Sequence, residues 1–232
     1  MDMVHHNPGE SFTQTQFNDP ALLAEYGYNA QVINEFQSVH TAITYHTLHP
    51  DIFPEGSTER LWVDSLANRI TKKIEDIHRQ ELEAYYFTDI IVLPKRVVEL
   101  YKDEICSPDG KIDFTRKKTQ DIHRLMIREV FERFPGLDGL VVRVGETYLH
   151  NTPYHTGNGP IPRNEKSWEH NSAYETDGGE QIHRELMNLL REEVCVKQNK
   201  KLFYRTWDFG YFHINPVYYH SVTDAVEPHP NL

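Results

Sequence analysis

The sequence predicts an α/β fold whose parallel strands are buried on both faces. Three almost continuously apolar runs are the main strand candidates: residues 84–93, 140–144 and 202–207. Continuous runs of this length are typical of parallel sheets that are covered on both sides. Segments with helical spacing of their apolar residues lie between the runs. This alternation favours βαβ units with right-handed crossovers.

Two weaker strand candidates lie upstream, at residues 2–6 and 42–47. With these included, the chain has about five strands, and helices connect them. Pro94 ends the apolar run that precedes it, and it can open a short helix that continues through Tyr101.

Three longer helices are predicted from apolar residues that repeat every three or four positions. The first begins after Ser57 or Thr58, because either side chain can cap a helix. The second ends near residues 134–136, where Phe, Pro and Gly follow one another. The apolar positions are Val63, Leu66, Ala67, Ile70, Ile74 and Ile77 in the first helix, Ile122, Leu125, Met126 and Val130 in the second, and Ile182, Leu186, Leu189, Leu190 and Val194 in the third.

Five parallel strands cannot close the eight-stranded barrel that this kind of alternation often builds. Either the sheet is open and doubly wound, or the chain is a fragment of a barrel. We favour the second and predict a partial (β/α)8 TIM barrel of about five units, with residues 1–232 as one domain that lacks the last three strands. The first and last strands should then have unpaired edges or exposed apolar surface.

The composition is that of a globular protein, with 38% hydrophobic and 12% aromatic residues in a chain of 232. The formal net charge is −11 and no basic stripe stands out, so we expect no nucleic-acid partner. No apolar run approaches the roughly 18 residues that span a bilayer, and the start is not a signal peptide. We therefore expect no membrane partner and a cytoplasmic location. Cys106 and Cys195 are expected to be free thiols.

Polar and aromatic side chains recur after the predicted strands, where parallel α/β folds place their active sites. Aromatic faces can stack on sugar rings, and charged groups can bind sugar hydroxyls, so a carbohydrate is the expected substrate. The candidate binding residues are His5, His6, Asn7, Asp89, Arg143, Tyr148, Arg205 and Trp207.

Glu146 is the leading catalytic candidate, because it follows a buried strand and a flexible Gly145. Partial desolvation by Tyr148 could raise the pKa of its carboxyl group and make it a general acid. The structural alternative is a glutamate that pairs with a nearby arginine and holds the loop. Arg143 lies three positions earlier, so strand alternation places the two side chains on opposite sides unless Gly145 changes the direction.

A glycosidase usually needs a second carboxylate about 5 to 10 Å from the first. Asp208 is named as the second catalytic candidate, and Asp89 or a residue on the missing strands could also supply it. The alternatives are a helix cap or turn for Asp208, and a core position for Trp207 rather than a sugar platform.

The chain contains fourteen histidines, which raises the question of a metal site. His150 and His155 have a spacing that could chelate, but no strict metal motif is present. We therefore expect no metal and no cofactor. Residues 157–160 form a flexible turn and not a phosphate-binding loop.

Four stretches, residues 3–10, 85–95, 138–148 and 202–210, resemble a group of glycosidase-like barrel proteins from bacteria and fungi. More distantly, the order of elements is similar to that of α-glucuronidase barrels. That resemblance implies an acid glutamate after the fourth strand, at Glu146. One departure is Glu81, where a left-handed helix end would be expected to carry Gly, at a cost of about 1 kcal/mol if φ is positive.

The hypothesis from the sequence is therefore a glycoside hydrolase with carboxylate acid/base catalysis, which could be inactive as a fragment. Two alternatives remain open: a carbohydrate-binding barrel without turnover, and a metal-dependent barrel hydrolase.

Overall fold

The computed structural model describes residues 18–34, 38–144, 152–156, 179–206 and 216–232. Within these ranges, helices and strands alternate along most of the chain. The elements are α1 (Pro20–Glu25), β1 (Ala30–Ile33), α2 (Thr58–His78), β2 (Glu83–Asp89), α3 (Lys95–Ile105), α4 (Lys117–Arg133), β3 (Gly139–Arg143), α5 (Gly179–Leu190), β4 (Lys201–Tyr204) and α6 (Pro216–Thr223). Two 3-10 turns, Val39–Ala42 and Pro50–Ile52, lie between β1 and α2, and a π-helical segment, Arg191–Lys197, continues α5.

The four strands form one sheet in the order β1-β2-β3-β4, and all neighbours are parallel. The prediction of an α/β fold with a parallel sheet is confirmed. Consecutive strands are spatial neighbours, and each pair is joined by a crossover that contains at least one helix.

Helices α2 to α5 pack against the same face of the sheet. One apolar cluster joins their buried side chains to alternate strand residues: Ile33, Ala84, Tyr86, Leu140, Val142 and Leu202. The intervening residues point to the other face and form a separate cluster without helical members: Ala30, Val32, Tyr85, Phe87 and Val141. We call this second side the helix-free face. It is defined by the described residues alone.

The three main strand predictions are confirmed, although β2 and β4 are shorter than their apolar runs. β2 ends at Asp89 instead of residue 93. Two residues later Ile91 has a φ of 70°, which is incompatible with a continuing strand. The apolar residues beyond Asp89 are buried in a connection, so their hydrophobicity reflects burial and not strand structure.

The predicted strand at residues 42–47 is wrong. Ala42 ends a 3-10 turn, and Tyr45 has a φ of 53°. The segment is apolar because Ala42, Ile43 and Tyr45 are buried in the core from a loop. Its backbone is held by Glu129 of α4, which accepts a 3.0 Å hydrogen bond from the Thr47 N–H. The first strand of the described chain is β1, which was not predicted from the sequence. The predicted strand at residues 2–6 lies outside the described residues.

The helix predictions are confirmed. The Ser57 hydroxyl caps α2 by accepting a 3.1 Å hydrogen bond from the Arg60 N–H. The short helix after Pro94 is α3, and the third long helix is α5 with its π-helical continuation. Both cysteines are free and buried, as expected.

β1 and β4 are the outer strands of the described sheet. On β4, Phe203 keeps 37% of its surface exposed. The outward N–H of Leu202 donates a 2.7 Å hydrogen bond to the carbonyl of Asn231, so the 229–232 segment lies beside this edge. The exposed edge residue agrees with the predicted apolar surface at the last strand.

Candidate functional site at the carboxyl edge of the sheet

A buried charged pair lies at the carboxyl ends of the two central strands. Asp89 ends β2 and Arg143 ends β3, and the two residues are partners in the strand register. The Arg143 Nη2 is 3.7 Å from the Asp89 Oδ2, and both side chains are fully buried. Two predicted site residues are therefore in direct electrostatic contact.

Phe87 and Arg205 extend this pair on the helix-free face. The Arg143 guanidinium carbon lies 5.1 Å from the centre of the Phe87 ring, and that of Arg205 lies 5.9 Å from the same centre. Arg205 directly follows β4, and its N–H donates a 2.8 Å hydrogen bond to the Val142 carbonyl. Both guanidiniums are within the range of cation–π attraction. The fold thus brings two predicted site residues to one aromatic ring, and a third, Asp89, is paired with one of them.

Ser38 fixes the backbone at the end of β2. Its hydroxyl accepts a 3.0 Å hydrogen bond from the Asp89 N–H and donates to the Asp89 carbonyl at 3.4 Å. The sequence reading missed Ser38, because 51 positions separate it from Asp89 and no local motif marks the contact.

Burial of the Asp89–Arg143 pair needs an explanation other than stability. Removing each of the two charges from water costs several kcal/mol. Apolar residues of similar volume often stabilise a fold as much as a buried ion pair, or more. Charged groups buried at one sheet edge are a common feature of functional sites. The pair therefore marks the carboxyl edge as the best candidate site in the described chain.

The connection from β2 to α3 lies at this edge and is strained. Ile91 is a buried, β-branched residue with a φ of 70°, a conformation that costs about 1 to 2 kcal/mol. Such a residue persists only where its surroundings hold it in place.

Residues 152–156 pair with this connection, and we call them the anchor segment. The Lys95 N–H donates to the Tyr154 carbonyl at 2.8 Å, and the Thr156 N–H donates to the Leu93 carbonyl at 2.8 Å. The Leu93 N–H donates to the Thr156 hydroxyl at 3.2 Å. Tyr154 is itself left-handed, with a φ of 63°.

His155 is the buried centre of the anchor segment. Its Nδ1–H donates a 2.8 Å hydrogen bond to the Pro153 carbonyl, and its ring lies 5.7 Å from Phe53 and 6.0 Å from Trp62, measured between ring centres. Burial lowers the pKa of His155 to about 4, so the ring is neutral near pH 7. A chelating role with His150 is not tested, because His150 lies outside the described residues.

The amino edge of the helix-free face differs from the carboxyl edge. Lys201 donates to both carboxylate oxygens of Glu83 at 2.8 and 2.9 Å, and the Tyr85 hydroxyl donates to the same carboxylate at 2.6 Å. Burial, followed by the hydrogen bond to Glu83, raises the pKa of Tyr85 to about 12. The charges at this edge are paired with one another in a partly exposed network.

The remaining sequence-predicted site residues lie outside the described ranges. They are the catalytic candidates Glu146 and Asp208 and the binding candidates His5, His6, Asn7, Tyr148 and Trp207. Glu146 follows Arg143 by three positions and precedes the anchor segment by six.

Among the described residues, no three His, Cys, Asp or Glu side chains are grouped so that they could hold a metal ion. No helix in the described ranges is both long enough and apolar enough to cross a membrane. Comparison of the chain with models of protein families gave no match, and comparison with curated proteins gave none.

Proposed function

We propose that the chain is a glycoside hydrolase whose site lies at the carboxyl edge of the sheet, with Glu146 as the general acid. One observation carries the proposal: at the ends of three adjacent strands, Arg143 and Arg205 both contact the Phe87 ring, and Asp89 pairs with Arg143. Sugar subsites combine charged groups for the hydroxyls with an aromatic face for the ring. The sequence places Glu146 directly after one of these strands.

The strand order supports a partial (β/α)8 barrel as the scaffold of this site. A doubly wound sheet reverses its strand order and carries helices on both faces. Here the order is sequential and α2 to α5 share one face. A sheet wound in one direction is the arrangement of a barrel wall, with its helix-free face inside.

Each residue near the edge has a proposed role. Arg205, which is only partly buried, binds the substrate, the fully buried Arg143 holds Asp89 at the strand ends, and Glu146 protonates the leaving-group oxygen. Asp208, four positions after the end of β4, is the proposed second carboxylate. The other binding residues remain those named from the sequence, and this chemistry needs no metal or cofactor.

A second candidate function is carbohydrate binding without turnover. It is favoured by the position of Asp89, whose carboxylate is fully buried and faces Arg143. In that arrangement Asp89 suits a role in holding the strand ends better than a role in proton transfer to a substrate. The second catalytic carboxylate must then come from elsewhere in the chain.

The experiment that tests the proposal is hydrolysis of aryl glycosides and glucuronoxylan fragments by the wild type and by Glu146→Gln. Loss of a general acid should lower kcat/KM by about 100-fold or more. The matched control is Glu132→Gln, which makes the same change at an exposed position of α4 and should leave the rate unchanged. Full activity of Glu146→Gln would remove the acid role, and sugar binding without product would favour the second candidate.

A further inference from the structure

The anchor segment contacts two separate parts of the chain, the β2–α3 connection and α2. Its backbone pairs with Leu93 and Lys95 on the β2–α3 connection. Its side chains Tyr154 and His155 both pack against Trp62 in the first turns of α2, with ring centres 5.9 and 6.0 Å apart. Removing this segment would therefore uncouple α2 from the connection that follows β2.

His155 fills the centre of these contacts and is fully buried. Its Nδ1–H is used within the segment by the Pro153 carbonyl. Its Nε2 has no hydrogen-bond partner among the described residues and faces an apolar, aromatic environment that includes Phe53. A second proton at Nε2 would therefore be a charge buried without a partner.

We propose that His155 is a positioning residue, which fixes the anchor segment to the β2–α3 connection. The anchor segment follows Glu146 in the sequence, as β3 precedes it. The catalytic consequence rests on the proposed function, whereas the attachment of the anchor segment does not. Arg143 holds the chain three positions before Glu146, and the anchor segment begins six positions after it. With Arg143 and the anchor segment both held, the proposed catalytic consequence is a restricted position for Glu146.

Burial and the titratable groups around His155 oppose its protonation, and together they outweigh the hydrogen bond to the Pro153 carbonyl, which favours it. Lys95 of α3 and His40 of the Val39–Ala42 turn are the titratable groups that face His155. A positive charge on either of them repels a positive charge on the His155 ring. Burial lowers the pKa of His155 from its ordinary value of 6.5 to about 4. The attached state therefore requires the neutral ring, and an opened state would take up a proton below pH 6.5.

The test is hydrogen exchange at the three paired amides, those of Leu93, Lys95 and Thr156, between pH 7 and pH 5. If opening restores the ordinary pKa of His155, the protection factors should fall by about 20-fold over this range. In His155→Phe, which keeps an aromatic ring but cannot be protonated, this dependence on pH should disappear. Equal pH dependence in the wild type and the variant would overturn the proposal.

The matched control is His123→Phe. His123 is equally buried and its pKa is also lowered to about 4, but its ring packs against Phe114 of another part of the core. The pH dependence at the three amides should survive in this variant. Its loss there would mean that acid opens the whole molecule, and a local role for His155 would be rejected.

A second variant keeps the test valid if His155→Phe does not fold. Thr156→Val removes the hydroxyl that accepts from the Leu93 N–H. Protection of Leu93 should fall at every pH, while the pH dependence of the other two amides remains. Unchanged protection of Leu93 would contradict the attachment. Hydrogen exchange can be measured in a protein that has no glycosidase activity. Absence of that activity would refute the proposed function and leave the exchange results unaffected.

Discussion

Glu81 links α2 to β2 in the left-handed conformation, with a φ of 58°. Its N–H donates to the His78 carbonyl at 2.9 Å, and the Leu82 N–H donates to the Ile77 carbonyl at 3.4 Å. These bonds use carbonyls at the helix end that would otherwise lack partners. The Glu81 side chain is exposed, so the backbone angle decides which residue suits this position best.

We predict that Glu81→Gly stabilises the protein by up to about 1 kcal/mol, because glycine adopts this conformation without the Cβ strain. The measurement is the free energy of unfolding in urea. The control is Glu75→Gly, an exposed position inside the last turn of α2, where glycine should cost up to about 1 kcal/mol. A loss of stability in both variants would show that the left-handed angle of Glu81 carries no strain.

Single residues could be predicted from the sequence where local geometry decides them. The Ser57 cap and the glycine-like position of Glu81 depend only on neighbours along the chain, and both are confirmed. Asp89 and Arg143 could be named because they are charged residues near the ends of apolar runs. Their contact could not be foreseen, because it depends on the register of β2 against β3.

At the scale of elements, Gly139 determines how closely β3 and β4 approach. A Cβ at this position would lie 2.1 Å from the Lys201 carbonyl oxygen, which is far inside van der Waals contact. Gly139 is also the register partner of both Tyr85 and Lys201. It therefore places no side chain between Lys201 and Glu83, which form an ion pair across β3.

We expect Gly139→Ala to destabilise the protein by at least about 2 kcal/mol, because the added methyl group meets the backbone of β4, which cannot move without shifting the strand. Urea unfolding measures the change. Gly136→Ala is the matched control, since its added methyl group would meet side chains and not backbone, Ile74 at 3.1 Å and His78 at 3.6 Å, and should cost less than about 1 kcal/mol. Equal costs for the two variants would contradict this view of the β3–β4 contact.

The elements that were misjudged show why apolar sequence is an ambiguous signal. The apolar residues of the 42–47 segment, Ala42, Ile43 and Tyr45, are buried from a loop, whereas β1 has only four residues and includes Gln31. Gln31 is buried because it lies inside the sheet beside Ala84. Burial from tertiary packing overrode the local pattern in both places.

At the scale of the whole molecule, three buried histidines make the free energy of unfolding depend on pH. They are His40, His123 and His155, and they come from a 3-10 turn, α4 and the anchor segment. Burial is the main cause that lowers their pKa values, to about 3, 4 and 4. All three rings are neutral in the folded protein near pH 7, while an unfolded chain protonates them below about pH 6.5.

We predict that the free energy of unfolding falls as the pH decreases from about 6.5 towards 4, by about 2 kcal/mol per histidine at pH 5. The sign follows because the unfolded state binds more protons throughout this range. Carboxylates with lowered pKa values, such as Glu193, lose their contribution only at lower pH. Urea unfolding at pH 7 and pH 5 measures the loss, and His123→Phe should reduce it by about one third. A stability that is equal at both pH values would contradict the neutral buried rings.

The helix-free face has paired, partly exposed charges at one edge, and at the other edge it has the buried Asp89–Arg143 pair with the partly buried Arg205. Glu83 and Lys201 mark the amino edge, and Asp89, Arg143 and Arg205 mark the carboxyl edge. If the carboxyl edge is the saccharide site, the two edges must respond differently to a sugar ligand. This contrast supplies an internal control within one molecule.

The most direct test is backbone amide NMR during titration with glucuronoxylan fragments. The predicted shifts cluster at residues 89–93, 143–144 and 205–206, and the amides of Glu83 and Lys201 stay unchanged. Shifts confined to the amino edge, or no shifts at a saturating sugar concentration, would contradict a carbohydrate site at the carboxyl edge.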